Sequence, residues 1–354
     1  MNDSEILLET VHNYLQDCLS SEIDQDPAAL KKALQGLTDR SLLSVKIPKA
    51  WGGLGVDSET FYLFQQLIAR YSGALAFLQL QHQGAVSSLV SSENELLKQQ
   101  YLPQIVQGKQ FIGQGFSQLR RQGEPLVKAI PISGGYYISG HVPWITGFGF
   151  FDAFIIGAIL PDGKELRGII PCPKNCETIK FSGPMKLCAM QSTNTVTATL
   201  DHYFLPTENV IIVQKKGAIH ENDKKVVLFP SFLILGCAKA GLDIIEKTSK
   251  TKQLDFIENG FNKLNDEFNQ CQTQILEAMR TPSTRFEENL KLRVWAINLA
   301  QRCSQAAVTV SSGAANYLSH PAQRVYREAL VFTVFAQTTD LMKATLERLI
   351  QAPL

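Results

Sequence analysis

The sequence predicts an α+β chain, with an N-terminal helical domain over residues 1–109, a middle antiparallel β domain over 110–213 and a C-terminal four-helix bundle over 214–354. Three observations predict it. Apolar residues recur at helical spacing through the first third. Between residues 110 and 212 the period shortens to strand-like alternation punctuated by glycine turns. From Val226 to the C-terminus the helical period returns.

The elements follow in order. Ile6, Leu7, Val11, Leu15 and Leu19 form the stripe of a first helix, from Glu5 to Leu19. Ala28–Leu43 predicts a second. Asp57 or Ser58 caps a third, whose inner face is Phe61, Phe64, Leu67, Ile68 and Tyr71, and which Gly73 ends. Ala74–Ser91 is a fourth. Ser92-Glu93-Asn94-Glu95 has the form of a capping box and opens a fifth helix that ends near Gly108. In the middle segment, Ser133-Gly134-Gly135 between Lys128–Ile132 and Tyr136–Ser139 reads as a hairpin. Pro161–Glu165 turns between Phe154–Leu160 and Leu166–Ile170. Val196, Ala198 and Leu200 alternate with Thr197 and Thr199, as a half-buried antiparallel strand should. Gln214–Lys225 is polar and reads as a connection. The last four helices are predicted over Val226–Lys250, Leu254–Met279, Phe286–Leu318 and Ala322–Leu349.

Composition narrows the function classes. The chain has 354 residues, 45% of them apolar, including 19 Phe and 9 Tyr, which suffices for a large core. Its 34 basic and 33 acidic residues nearly balance and argue against a nucleic-acid surface. No signal-peptide pattern opens the chain, and the longest apolar run, Val226–Ala238, is interrupted by Pro230 and Ser231 and is too short for a bilayer. The expectation is a soluble, cytoplasmic protein without a membrane partner. The seven cysteines are scattered; Cys172 and Cys176 are near one another but have no further ligands at zinc spacing, so no metal site is expected. Gly113-Gln114-Gly115 and Gly147-Phe148-Gly149 lack the third glycine and the βαβ setting of a dinucleotide fold.

Several ordered motifs remain: Ile47-Pro48-Lys49-Ala50-Trp51-Gly52-Gly53-Leu54-Gly55, Pro143-Trp144-Ile145-Thr146-Gly147, Leu205-Pro206-Thr207-Glu208-Asn209-Val210-Ile211, and Arg324-Val325-Tyr326-Arg327-Glu328-Ala329 followed by Phe335-Ala336-Gln337-Thr338. In this order and spacing, from about residue 38 to the C-terminus, the chain resembles the acyl-CoA dehydrogenase superfamily of flavoproteins. The resemblance implies helices, a β domain and a helical bundle. It also implies an FAD cofactor and a homodimer or homotetramer whose C-terminal helices complete the cofactor site.

The resemblance assigns roles residue by residue. Trp144, Ile145 and Thr146 match the segment that lies against the flavin ring, where an indole packs on the isoalloxazine and a backbone or Thr146 group bonds its N5 edge. Ser117 is a candidate hydroxyl for the flavin pyrimidine. Arg120 and Arg121 follow where the family has Gly-Ser-Asp; guanidinium forks suit a phosphate, and a solvated turn is the alternative. Gly313, in Ser312-Gly313-Ala314-Ala315, is what remains of a Gly-Gly-x-Gly motif at the pyrophosphate, and Lys250–Phe261 has no counterpart of the family's Arg-x-Phe-Gly. FMN, or no flavin, therefore stands beside FAD. Thr338 keeps the family's threonine near the cofactor, while Arg324 and Arg327 read as structural.

The family's α-proton acceptor is a Glu before a Gly-Thr pair; here Ala336 occupies that position and Gln337 the glycine's. The alternative family position falls near Val226, also apolar. Asp223 and Asp340 are the nearest acids, and capping or solvation explains both. His82 shares a helical face with Leu78, Ala85 and Leu89. It is the candidate catalytic residue, by likeness to flavin monooxygenases of this fold, with a core histidine as the alternative. His12, His141, His202, His220 and His320 form no constellation with a nucleophile. Three functions follow: a flavin-dependent oxidoreductase with an atypical site acting on an acyl-CoA or other small organic substrate, a monooxygenase fed by a partner flavin reductase, and a non-catalytic binding protein. An electron-transfer partner is the corresponding expectation for the first.

Overall fold

The computed structural model describes residues 2–18, 22–172, 177–280 and 285–350. Five helices come first: α1 (Asp3–Cys18), α2 (Pro27–Thr38), α3 (Ser58–Tyr71), α4 (Gly73–Val90) and α5 (Glu95–Val106). Capping chemistry fixes their ends. Asp26 accepts from the amides of Ala28 and Ala29, and Asp57 from Thr60, so the first orphan amides of α2 and α3 are satisfied. The expected stop at Gly73 is corrected: Ser72, in extended backbone, ends α3 and its hydroxyl caps α4. Gly73 is small for packing, since an added Cβ would lie 2.7 Å from Glu328 Cδ. Likewise Asn94, not Ser92, caps α5; Ser92 Oγ donates to the Ile211 carbonyl instead and ties α5 to the sheet.

Eight strands follow: β1 (Ile112–Gly115), β2 (Val127–Ile132), β3 (Gly135–Ile145), β4 (Ala153–Ile159), β5 (Glu165–Pro171), β6 (Ile179–Phe181), β7 (Val196–Pro206) and β8 (Val210–Gln214). They form one sheet in the order β6-β7-β3-β2-β4-β5-β8, with β1 on β4. Both anticipated hairpins are present, β2–β3 with Ile132 opposite Gly135 and β4–β5 with Ile159 opposite Glu165. The sheet is mixed, however: β4 runs parallel to β1 and β2. Strand β4 reads Ala-Phe-Ile-Ile-Gly-Ala-Ile and is buried on both faces, the pattern that suits parallel pairing. Its Phe154, Ile156 and Ala158 join the main core, while Ala153 and Ile155 pack with Ala85, Val86 and Leu89 of α4 and Leu97 and Tyr101 of α5.

The C-terminal part contains α6 (Ala218–Lys225), α7 (Ser231–Lys252), α8 (Asp255–Arg280), α9 (Phe286–Ser311), α10 (Pro321–Val334) and α11 (Thr339–Ile350). Two expectations change here. The polar connection folds as α6, with both Glu165 carboxylate oxygens accepting from the Ile219 amide at its first turn. The predicted last helix is two helices, α10 and α11, separated at Phe335–Thr338, where Ala336 adopts a left-handed φ of 48°. Helices α7 and α9 pack with Gly241 against the backbone of Cys303, and Gly236 of α7 against the backbone of Gln66 and Arg70 of α3. One apolar core runs through all three parts of the chain. Cys176 and Leu19 lie outside the described residues, and among those described no His/Cys/Asp/Glu group could hold a metal. No described helix is long and apolar enough to cross a membrane.

Candidate cofactor and substrate site

The residues proposed to meet a flavin fall into two groups. Strand β3 ends in Trp144 and Ile145, and Thr146 follows it. Strand alternation turns the Ile145 side chain fully inward and leaves Trp144 48% exposed. Thr146 is buried and its hydroxyl bonds Thr195 Oγ1 at 3.0 Å, fixing the turn after β3 to the start of β7. The indole is thus half-exposed at an anchored strand end. Ser117 opens a 3-10 turn, Ser117–Arg120, and its Oγ is buried with no hydrogen-bond partner among the described residues. A buried hydroxyl without a partner is costly, and a polar ligand group would satisfy it. Trp144 and Ser117 therefore fit a flavin.

The phosphate reading of Arg120 needs correction. Its guanidinium is bound to Asp223 of α6, with Nε at 2.7 Å from Oδ2 and Nη2 at 2.9 Å from Oδ1. The same pair removes Asp223 as a candidate base. Arg121 is solvent-exposed. Gly313 lies in the 3-10 turn Ser312–Asn316, exposed, and a Cβ there would meet nothing within 4 Å, so no contact within the chain requires a glycine. The Thr338 hydroxyl accepts from the Leu341 amide at 3.2 Å and caps α11. Asp340 is exposed in that helix's first turn.

His82 is wholly buried on α4. Its Nδ1 lies 3.1 Å from the Ile112 carbonyl and 3.2 Å from the Ile112 amide, and its ring is flanked by Phe111 and Phe151. Burial pushes its pKa down to about 4, so the imidazole is neutral at physiological pH. Its Nε2 has no hydrogen-bond partner among the described residues. This geometry supports the core reading, in which His82 joins α4 to β1, over a role in proton transfer.

The sequence reading missed Arg293. This α9 residue is 3% exposed and makes no ion pair with a carboxylate among the described residues. Nη2 donates to the Phe335 carbonyl at 2.6 Å and reaches the Ala336 carbonyl at 3.4 Å, while Nη1 donates to Val227 at 3.3 Å. It therefore touches the usual base position and the neighbour of Val226, the alternative one. A signal for it exists: Leu290, Arg293, Ile297, Ala300 and Ser304 lie on one buried stripe of α9, and a lone arginine on an apolar face needs partners. Burial lowers its pKa to about 10, with Asp223 opposing and Arg120 adding to that effect, so it stays charged. Neighbouring Gln337 has a buried Oε1 without a hydrogen-bond partner among the described residues.

Residues 1–109 match the family model for the acyl-CoA dehydrogenase N-terminal domain. The chain is 25% identical over 226 residues to mitochondrial isovaleryl-CoA dehydrogenase of Pongo abelii; that match covers 60% of this chain and only 53% of the relative. It is 21% identical over 329 residues to the corresponding Solanum tuberosum protein, covering 87% of this chain and 79% of that one. The structure of butyryl-CoA dehydrogenase from Megasphaera elsdenii superposes with a TM-score of 0.82 at 16% identity, covering 99% of each chain. Residues 1–109 thus carry the N-terminal domain pattern of the acyl-CoA dehydrogenases, and the chain shares the fold of butyryl-CoA dehydrogenase from end to end.

Proposed function

We propose that the protein is a flavin-dependent oxidoreductase acting on an acyl-CoA or another small organic substrate, without a carboxylate base at position 336. The observations that carry this reading are the half-exposed Trp144 indole on an anchored strand end and the buried Ser117 hydroxyl, which has no hydrogen-bond partner among the described residues. The activities for which relatives are named, isovaleryl-CoA dehydrogenase and 3-(aryl)acrylate reductase, support the substrate class. FAD is the proposed cofactor. A bound flavin would supply the two-electron chemistry; Trp144 would pack on its ring, Ser117 would bond its polar edge, and the Thr146–Thr195 bond would hold the strand end in place. Arg120 contributes to α6 rather than to a phosphate in this state.

The absence of a carboxylate at 336 favours substrates that need no α-proton abstraction by that residue, or reaction in the reductive direction with the proton drawn from elsewhere. A small-molecule substrate, an electron-transfer partner and a homo-oligomer complete the proposal. For the last, Tyr326, Leu330 and Val334 of α10 and Met342, Leu346 and Leu349 of α11 leave large apolar side chains in solvent. The burial of His82 weighs against the monooxygenase reading that rested on it. The test is anaerobic titration of the flavin-loaded protein with acyl-CoA thioesters and, after chemical reduction, with enoyl-CoA thioesters. Bleaching or reoxidation of the flavin by either class supports the proposal. Inertness to both, with oxygen uptake once a flavin reductase is added, would replace it with the monooxygenase.

A further inference from the structure

We propose that Arg293 is the positioning residue of this site, a single buried cation that clamps the two backbone segments carrying the family's alternative base positions. The proposal rests on the functional reading above only for calling these segments a site; the clamp itself stands on geometry. Val227 follows the end of α6, where Val226 is the last cap, and Phe335 caps the end of α10. Each segment leaves carbonyls that no helical amide can reach. Arg293 donates to both sets across more than 100 residues of chain. Helix C-termini carry partial negative charge, which favours a guanidinium here without a carboxylate partner, while its Nε has no hydrogen-bond partner among the described residues. The charged groups facing it are Asp223 and Arg120, which are already paired with each other. The clamp also holds the backbone around Ala336 in its left-handed turn, with Phe335 packed edge-on against Phe77 of α4 at 5.3 Å.

A planar fork holds its donors in fixed, separated directions, whereas a lysine brings one compact ammonium on a flexible stem. Charge and shape are therefore separable by substitution. The experiment is amide hydrogen exchange on the full chain without added ligand, comparing the wild type with Arg293→Met and Arg293→Lys. In Arg293→Met, exchange at residues 337–341 and 228–232 should rise together by at least about tenfold, while α8 keeps its protection. Arg293→Lys should restore protection partly at about pH 6 and lose it by about pH 9 relative to wild type, because a buried ammonium gives up its proton sooner than a guanidinium. Loosening of one segment alone, uniform loosening that includes α8, or a pH-independent Lys phenotype would overturn the proposal. None of these readouts depends on flavin. A protein that fails to bind flavin but shows the coupled exchange would refute the functional reading and leave the clamp intact.

Discussion

Arg120 and Asp223 join the turn after β1 to α6 through a two-pronged ion pair, Nε to Oδ2 at 2.7 Å and Nη2 to Oδ1 at 2.9 Å. Their side chains are 28% and 10% exposed, so the pair is largely withdrawn from water. Helix α6 buries little else beyond Ile219, and the Glu165 cap holds its other end. Removing one partner of such a pair strands the other. We expect Asp223→Asn to cost about 1–3 kcal/mol in urea unfolding, and the Arg120→Gln/Asp223→Asn double variant to cost less than the sum of the single variants. Additive effects, or an unchanged Asp223→Asn, would mean that Arg120 is free for another anion.

Ala336 carries a side chain in a backbone region that favours glycine, with φ at 48°. Ala336→Gly should therefore stabilise the protein by about 0.5–1 kcal/mol, where the same change inside a helix would destabilise it. Urea midpoints decide the sign. Ala336→Glu places a carboxylate in the same strained backbone and near the Arg293 cation, which would favour its ionised form and blunt it as a base. That variant alone should not acquire acyl-CoA oxidation; measurable flavin reduction by acyl-CoA in it, absent in wild type, would contradict this view of the pocket.

His82 predicts a pH dependence with a definite sign. The folded protein keeps the imidazole neutral down to about pH 4, whereas an unfolded histidine protonates near 6.5. Between these values the unfolded chain binds more protons. Stability from this group is thus full above pH 6.5 and is lost as pH falls towards 4, by about 3 kcal/mol in all. His82→Leu should flatten the fall in unfolding free energy across that window, whatever its effect at pH 8. An unchanged slope would place the titration elsewhere.

The exposed apolar residues of α10 and α11 predict self-association. Light scattering should report a mass of at least twice 39.3 kDa, and Leu330→Glu with Leu346→Glu should reduce it to the monomer while helical content is retained. A wild-type monomer at micromolar concentration would refute the assignment of this face.

What the sequence revealed, and what it hid, has physical causes. Helices α1, α3 and α8 and both hairpins were readable because periodicity and turn residues are local signals. The break at Phe335–Thr338 was not, since Ala-Gln-Thr is compatible with a helix and the carbonyl at the interruption is bound by Arg293, distant in sequence. Parallel pairing of β4 was hidden for a similar reason: its partners are set by burial on two faces rather than by neighbouring turns. Of the candidate site, Trp144 is half-exposed and the buried Ser117 hydroxyl has no hydrogen-bond partner among the described residues, so both are open to a ligand. Arg120 and Thr338 are occupied by partners, Asp223 and the Leu341 amide, that no local pattern links to them.

The most direct measurement is the visible absorption spectrum of the purified protein, before and after incubation with FAD and then FMN, followed by gel filtration. A flavin band that travels with the protein is the predicted result, and release of the cofactor identifies which flavin it is. Folded protein that remains colourless with both flavins would contradict the proposed flavoenzyme and leave a binding role on the same fold.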